Sequence, residues 1–185
     1  MRALLLDGSG RDGFTSAMCA SCSEALEDSG WGAEVVRLCD LDLRHCTGCS
    51  ACLEGGECVI GDGMRGVMDS FEGCDLLVLA CPIRFSGPSS ILKAAMDRFQ
   101  PYWRRGRARG GFSAAMVCGG GPRPDFSPSV RMFRAFSITV GLEWAGCLEV
   151  PGTDGMAPAD AGPPAREFGL GLAGIAARGP AGGIV

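Results

Sequence analysis

Cys46, Cys49, Cys52 and Cys58 fall in the stretch HCTGCSACLEGGECVIGDGM, from His45 to Met64. Thiolates at this spacing are candidate metal ligands: one loop can wrap a core with Cys46, Cys49 and Cys52, and Cys58 can close the fourth corner. Cubane iron–sulfur clusters use four cysteinates, and runs separated by two residues are their usual local source. Structural zinc more often uses two separated Cys-x2-Cys knuckles. Neighbouring thiols can also rest reduced or pair as disulfides, so cluster, zinc and no metal are the readings the spacing allows. Gly48, Gly55 and Gly56 permit the tight backbone path that ligation would need. His45, the one histidine, precedes the first ligand and is expected to serve structure or face solvent.

A second set of residues suits an anion and a flat ring. The segment Gly8-Ser9-Gly10-Arg11-Asp12-Gly13-Phe14-Thr15-Ser16 follows a short apolar run and opens a helix. Free N–H groups and the helix dipole favour an anion there, with hydroxyls from Ser9, Thr15 and Ser16 and charge from Arg11. It is neither a Walker loop, since no Gly-Lys-Ser/Thr follows, nor a clean G-x-G-x-x-G fingerprint. The apolar loop Pro82-Ile83-Arg84-Phe85-Ser86-Gly87-Pro88-Ser89 offers a stacking face and amide donors to a heteroaromatic ring. Gly119, Gly120 and Gly121 leave room for a ring edge, although a plain turn would use them equally well.

These loops need a scaffold that brings them together. RALLLD, AEVVRLCDL, CDLLVLAC, GFSAAMVC and LEWAGCLEV read as strands. AMCASCSEALEDSG, MRGVMDSFEG, ILKAAMDRFQPYW and PSVRMFRAFSITVG read as intervening helices. A weaker last helix is expected from Ala165 to Arg178, because several glycines fall in or beside it. Alternating strands and helices imply a five-stranded parallel sheet covered on both faces, with ligands at the carboxyl ends of its strands. A chain of 185 residues with 46% hydrophobic residues fits one domain over 1–185, with a cysteine-rich loop at 45–63 and a Gly/Pro/Ala-rich tail from about residue 151.

The net charge of −4 argues against nucleic-acid or anionic-membrane binding. No apolar run reaches the roughly 18 residues that span a bilayer, and the N-terminal apolar run is too short for a signal peptide, so a cytoplasmic location is expected. In a reducing compartment clustered thiols more often bind metal or do redox chemistry than form disulfides. The remaining cysteines, Cys19, Cys22, Cys39, Cys74, Cys81, Cys118 and Cys147, read mostly as small buried hydrophobes. The basic run Trp103 to Arg109 reads as a solvated loop, with a phosphate or an acidic electron partner as the alternative.

Up to about Val150 the chain resembles the flavodoxin-like flavoproteins of the NAD(P)H-dependent FMN reductase group. The resemblance rests on Gly-Ser-x-Arg then Thr-Ser after the first strand, on Cys-Pro-Ile-Arg-Phe-Ser-Gly-Pro-Ser, and on Leu92-Lys93-Ala94-Ala95-Met96-Asp97-Arg98. It implies a three-layer sandwich of strand order 2-1-3-4-5 that binds FMN. The phosphate would sit on the loop of Ser9, Arg11, Gly13, Phe14, Thr15 and Ser16. The isoalloxazine would lie against Pro82, Ile83, Arg84, Phe85 and Ser86 and against Gly119, Gly120 and Gly121. Gly10 stands where the family usually has proline, and Arg84 where an aromatic residue is common.

Within that group the cysteine spacing and Cys58-Val59-Ile60-x-Asp62-x-Met64 resemble the iron–sulfur flavoproteins, which carry a [4Fe-4S] cluster beside FMN. The implied function is electron transfer between FMN, the cluster and a donor or acceptor, either a protein such as a ferredoxin or a small molecule. NAD(P)H is a candidate reductant, a homo-oligomer is expected, and no side chain is assigned as acid or base. A cluster-free NAD(P)H-dependent FMN or quinone reductase is the alternative, and a non-catalytic redox-sensing module the second.

Overall fold

Ala3 to Leu6 are buried on both faces because β1 (Arg2–Asp7) is a central strand with a parallel neighbour on each side. The computed structural model describes residues 1–105 and 109–177. β1 is followed by α1 (Phe14–Asp28), β2 (Gly32–Arg37), a short helix α2 (Ala51–Gly55) and α3 (Met64–Glu72). Next come β3 (Leu76–Arg84), β4 (Gly87–Pro88), α4 (Ser90–Asp97), α5 (Gln100–Arg105) and β5 (Phe112–Cys118). The chain continues with α6 (Ser127–Thr139), β6 (Glu143–Val150) and α7 (Gly162–Ala177).

The parallel strands run in the order β2-β1-β3-β5-β6, the expected order with β5 and β6 as the fourth and fifth parallel strands. Parallel pairing with crossover helices buries both sheet faces, and each face has its own core. Leu4, Leu6, Leu77, Leu79 and Val117 point towards α3, α4 and α6 and meet Phe71, Leu92, Met96 and Phe133. Leu5, Val78, Ala114 and Met116 point to the other side and meet Met18, Cys22, Leu26 and Leu172. The alternation of side chains along each strand produces this division. Full burial of each Leu or Phe contributes roughly 1.5–3 kcal/mol.

Several elements differ from the sequence expectation. The apolar loop after the third strand is instead a tight hairpin: β3 continues to Arg84 and pairs antiparallel with β4, Ile83 opposite Pro88 and Arg84 opposite Gly87. Its tip residues Phe85 and Ser86 have φ of 51° and 61°, the left-handed values that two-residue hairpin turns require. The long helix expected from Ile91 to Trp103 is two helices, α4 and α5. Pro101 lacks the N–H that would continue the first helix, and the break frees Arg98 to turn inward.

The tail is ordered through α7, which packs against α1. Of the glycines expected to weaken it, Gly171 and Gly174 face open space, whereas Gly169 has a packing reason. A Cβ on Gly169 would stand 2.9 Å from the Cys22 carbonyl oxygen and 3.0 Å from Ala25 Cβ, so the missing side chain lets the two helices close. Arg178 and residues 106–108 of the basic run lie outside the described residues.

Candidate functional site

Strand order reverses between β1 and β3: the chain leaves β1 for β2 on one side and returns to β3 on the other. A crevice opens at the carboxyl ends of the strands at such a point, and three candidate loops meet there. Pro82 on β3 is in register with Cys118 on β5. The Thr15 hydroxyl of the first loop lies 3.7 Å from Cys118 Sγ. Ser89 caps α4, accepting from the Leu92 N–H, and donates to the Gly8 carbonyl across 2.6 Å.

The first loop is organised by a residue that the sequence reading did not single out. Asp7 is buried at the end of β1, and its carboxylate accepts from the Ser9 N–H at 2.8 Å, the Ser9 hydroxyl at 2.6 Å and the Ser16 hydroxyl at 2.8 Å. Both hydroxyls therefore point their protons inward. Arg11 is exposed, Gly13 and Phe14 are half-buried at the helix entrance, and Thr15 is buried against Cys118. A helix as long as α1 has N-terminal amides with no intrahelical partner, so its first turn is suited to an anion, and the exposed Arg11 precedes it.

The second and third loops line one open groove of about 410 Å³, formed by Ile83, Phe85, Ser86, Gly119, Gly120 and Gly121 with the Pro122 to Asp125 segment. Phe85 is fully exposed at the hairpin tip, and Arg84 is also exposed. The Ser86 carbonyl is tied down by the Ser129 hydroxyl at 2.8 Å. The glycine loop serves a second purpose. Gly152, Thr153 and Asp154 donate backbone N–H bonds to the carbonyls of Gly121, Gly119 and Gly120, and a Cβ on Gly120 would overlap the Asp154 carboxylate. The tail thus closes over this loop.

The four cysteines of the loop after β2 lie on the wall of one cavity. Cys46, Cys49, Cys52 and Cys58 line one cavity of about 380 Å³, walled by Leu53, Val59, Ile60, Pro101 and Trp103. Burial pushes the Cys52 thiol up, and the neighbouring Cys58, Cys46 and Cys49 push it in the same direction. Among the described residues, no group of three or more His, Cys, Asp or Glu side chains is placed to hold a metal ion. Four cysteine sulfurs line this cavity together with Asp97, a donor set that suits soft, thiolate-binding metal chemistry. His45 is exposed and lines none of this cavity.

Arg98 holds the loop from below and was not foreseen as a site residue. It is 1% exposed. Its Nε donates to Cys58 Sγ at 3.3 Å, Nη1 to the Arg44 carbonyl at 2.8 Å and to Asp62 at 2.6 Å, and Nη2 to the Ile60 carbonyl at 3.2 Å and to Asp62 at 3.1 Å. Both ends of the cysteine loop are thereby fastened to the end of α4. Burial pushes the Asp62 carboxyl up, but hydrogen bonds from Arg98, Arg44 N–H and Met64 N–H hold it below its ordinary value. The 8 residues of α4 span about 12 Å, from the Ser89 cap at Gly8 to Arg98 at Cys58, so one helix links the two candidate sites.

Residues 1–144 match the NADPH-dependent FMN reductase family along the segment that carries these loops.

The chain belongs to that family.

It is accordingly a flavin-dependent oxidoreductase, and the cofactor of its family is FMN. It is 33% identical over 159 residues to an iron-sulfur flavoprotein of Archaeoglobus fulgidus, a match covering 84% of this chain and 72% of the relative. An iron-sulfur flavoprotein of Methanocaldococcus jannaschii is 28% identical over 166 residues, covering 86% of each chain. The fold superposes on the NAD(P)H:quinone oxidoreductase of Methanothermobacter marburgensis with a TM-score of 0.74, at 19% identity, over 92% of this chain and 95% of that one.

Other residues singled out in the sequence are structural in this FMN reductase fold. Arg109 lies over the Phe71 ring, 4.3 Å from its centroid, and donates to the carbonyls of Phe71 and Cys74, so it packs the core edge and does not face a ligand. Trp103 is exposed beside the cysteine cavity. Cys19, Cys22, Cys74, Cys81 and Cys118 are buried, as hydrophobes would be, whereas Cys39 and Cys147 are half-buried. Among the described residues no helix is long and apolar enough to cross a membrane.

Proposed function

We propose that this FMN reductase is an electron-transfer flavoprotein whose Cys46, Cys49, Cys52 and Cys58 hold a [4Fe-4S] cluster beside FMN. The presence of all four thiols on the wall of one cavity carries the reading. In the bound state FMN supplies the exchange of two-electron for one-electron traffic, and the cluster supplies one-electron steps.

The chain's own residues bind and orient. The α1 amides and Arg11 face the FMN phosphate, with Ser9 and Ser16 fixed in place by Asp7. Pro82 to Ser86 and Gly119 to Gly121 form the walls for the ring, and Phe85 at the tip shields it from water. Arg98 and Asp62 hold the cysteine loop against the end of α4. The reading includes a homo-oligomer in the cytoplasm. NAD(P)H is its reductant, and a ferredoxin-like protein or a small molecule its partner.

Oxygen-free purification followed by assay of iron, acid-labile sulfide and flavin on one sample tests this. About four irons and four sulfides with flavin per chain is the expected result. Flavin without iron would leave a cluster-free NAD(P)H-dependent FMN or quinone reductase, with the cysteine loop structural.

A further inference from the structure

We propose that Arg98 tunes the reduction potential of the cysteine-loop cluster through its hydrogen bond to Cys58, which makes that ligand unlike the other three; the inference rests on the cluster reading above. Among the described residues, Cys58 is the loop cysteine that receives an arginine donor, from Nε at 3.3 Å. Cys49 instead has neutral donors, the Ala51 N–H and the Thr47 hydroxyl.

The guanidinium is aimed and has no freedom to leave. Asp62, with a side chain 0% exposed, grips Nη1 and Nη2, and the Arg44 and Ile60 carbonyls take the remaining protons of those nitrogens. Only the Nε–H edge is left for sulfur. An arginine keeps its charge in any such environment, and a charge-assisted donor to sulfur is the stronger kind of hydrogen bond.

Reduction of a thiolate-bound cluster by one electron, taken from a chemical reductant such as dithionite, adds one negative charge and moves no proton. A fixed donor at one ligand stabilises that added charge more than it stabilises the oxidised state. The potential therefore rises, because hydrogen bonds to the sulfurs are among the determinants of cluster potential. Asp62 opposes this in part by its own charge, but it binds the far nitrogens and leaves the donor edge intact. Arg98 is thus a positioning and tuning residue, acting through Cys58.

The test compares wild type with Arg98→Lys and with the paired change Arg98→Gln/Asp62→Asn, which removes both buried charges and keeps neutral hydrogen-bonding groups. Iron and flavin are assayed, and the cluster potential is measured by dithionite titration followed by electron paramagnetic resonance. Both variants are expected to keep flavin and iron and to show a cluster potential shifted to more negative values, further in the paired variant. Arg166→Gln, which breaks the exposed Arg166–Asp28 pair between α7 and α1, away from the cysteine cavity, is expected to leave the potential unchanged.

Iron-loaded variants with the wild-type potential would overturn the proposal. So would loss of iron from both variants with fold and flavin retained, since Arg98 would then act in assembly alone. Iron-free wild type would remove the cluster reading and the proposal with it, and is told apart from those outcomes by the wild-type assay.

Discussion

Gly8 and Leu92 approach so closely that a Cβ on Gly8 would stand 2.7 Å from the Leu92 Cβ. The Gly8 N–H donates to the Ala80 carbonyl at 2.8 Å, and its own carbonyl accepts from Ser89. The start of the first loop is thus locked to β3 and to α4. Gly8→Ala has no flexible side-chain end to displace, because the obstructing atom is a Cβ on a helix. A loss of about 1–3 kcal/mol in stability is expected, the usual range for overpacking, together with weaker FMN binding. Thermal unfolding and flavin fluorescence titration would read the two effects, and unchanged values for both would disprove the locking.

Ser86 adopts a left-handed φ of 61° at an exposed hairpin tip, and its backbone carbonyl accepts from the Ser129 hydroxyl. For an L-residue this conformation costs roughly 1–2 kcal/mol. Ser86→Gly removes that strain and keeps the carbonyl, so the melting temperature should rise, by an amount equivalent to about 1 kcal/mol or less once glycine's extra unfolded-state entropy is counted. A lower melting temperature would show that the turn is held by something other than the φ values.

Asp62 and Arg98 form a buried pair, 2.6 Å at its shorter contact. Asp62→Asn leaves the guanidinium without its counter-charge, and a loss of about 3 kcal/mol near neutral pH is expected. Asp62 has a folded-state value below its unfolded one, although burial alone would raise it. The stability it contributes is complete above the ordinary carboxyl value of about 3.9 and is lost as pH falls through the lower folded value. The gap in urea midpoint between wild type and Asp62→Asn should accordingly narrow as the solution is acidified below about pH 4. A gap independent of pH would mean that the carboxylate charge does not matter.

Burial pushes the thiols of Cys22, Cys81 and Cys147 up to about 12. Cys49 is exposed. Alkylation near pH 8 should therefore label Cys49 while Cys22, Cys81 and Cys147 stay unmodified, since the thiolate is the nucleophile. Labelling of Cys49 should appear only after iron chelation if the loop carries its cluster. Mass spectrometry of peptides from chelated and untreated protein reads this, and equal labelling in both samples would count against ligation by Cys49.

The strands were legible because apolar runs such as Leu76 to Ala80 are buried on both faces, which only a central parallel strand requires. The shared cavity of the four loop thiols was legible because Cys46, Cys49, Cys52 and Cys58 are neighbours in the sequence. The Phe85–Ser86 turn was not, since nothing in those residue types demands left-handed φ. The order of α7 was not, because the reason for Gly169 lies on Cys22 and Ala25, far away in the chain.

What the sequence determined by itself was the alternation of elements, the three loops and the thiol set, all carried by neighbouring residues. What only the tertiary structure decided was which groups meet across the fold: Asp7 beneath Ser9 and Ser16, the tail over Gly120, and Arg98 with Asp62 at Cys58. An arginine is ordinarily a surface residue, and burial of Arg98 becomes favourable only where a carboxylate and carbonyls from a distant loop satisfy it. No local pattern encodes that condition.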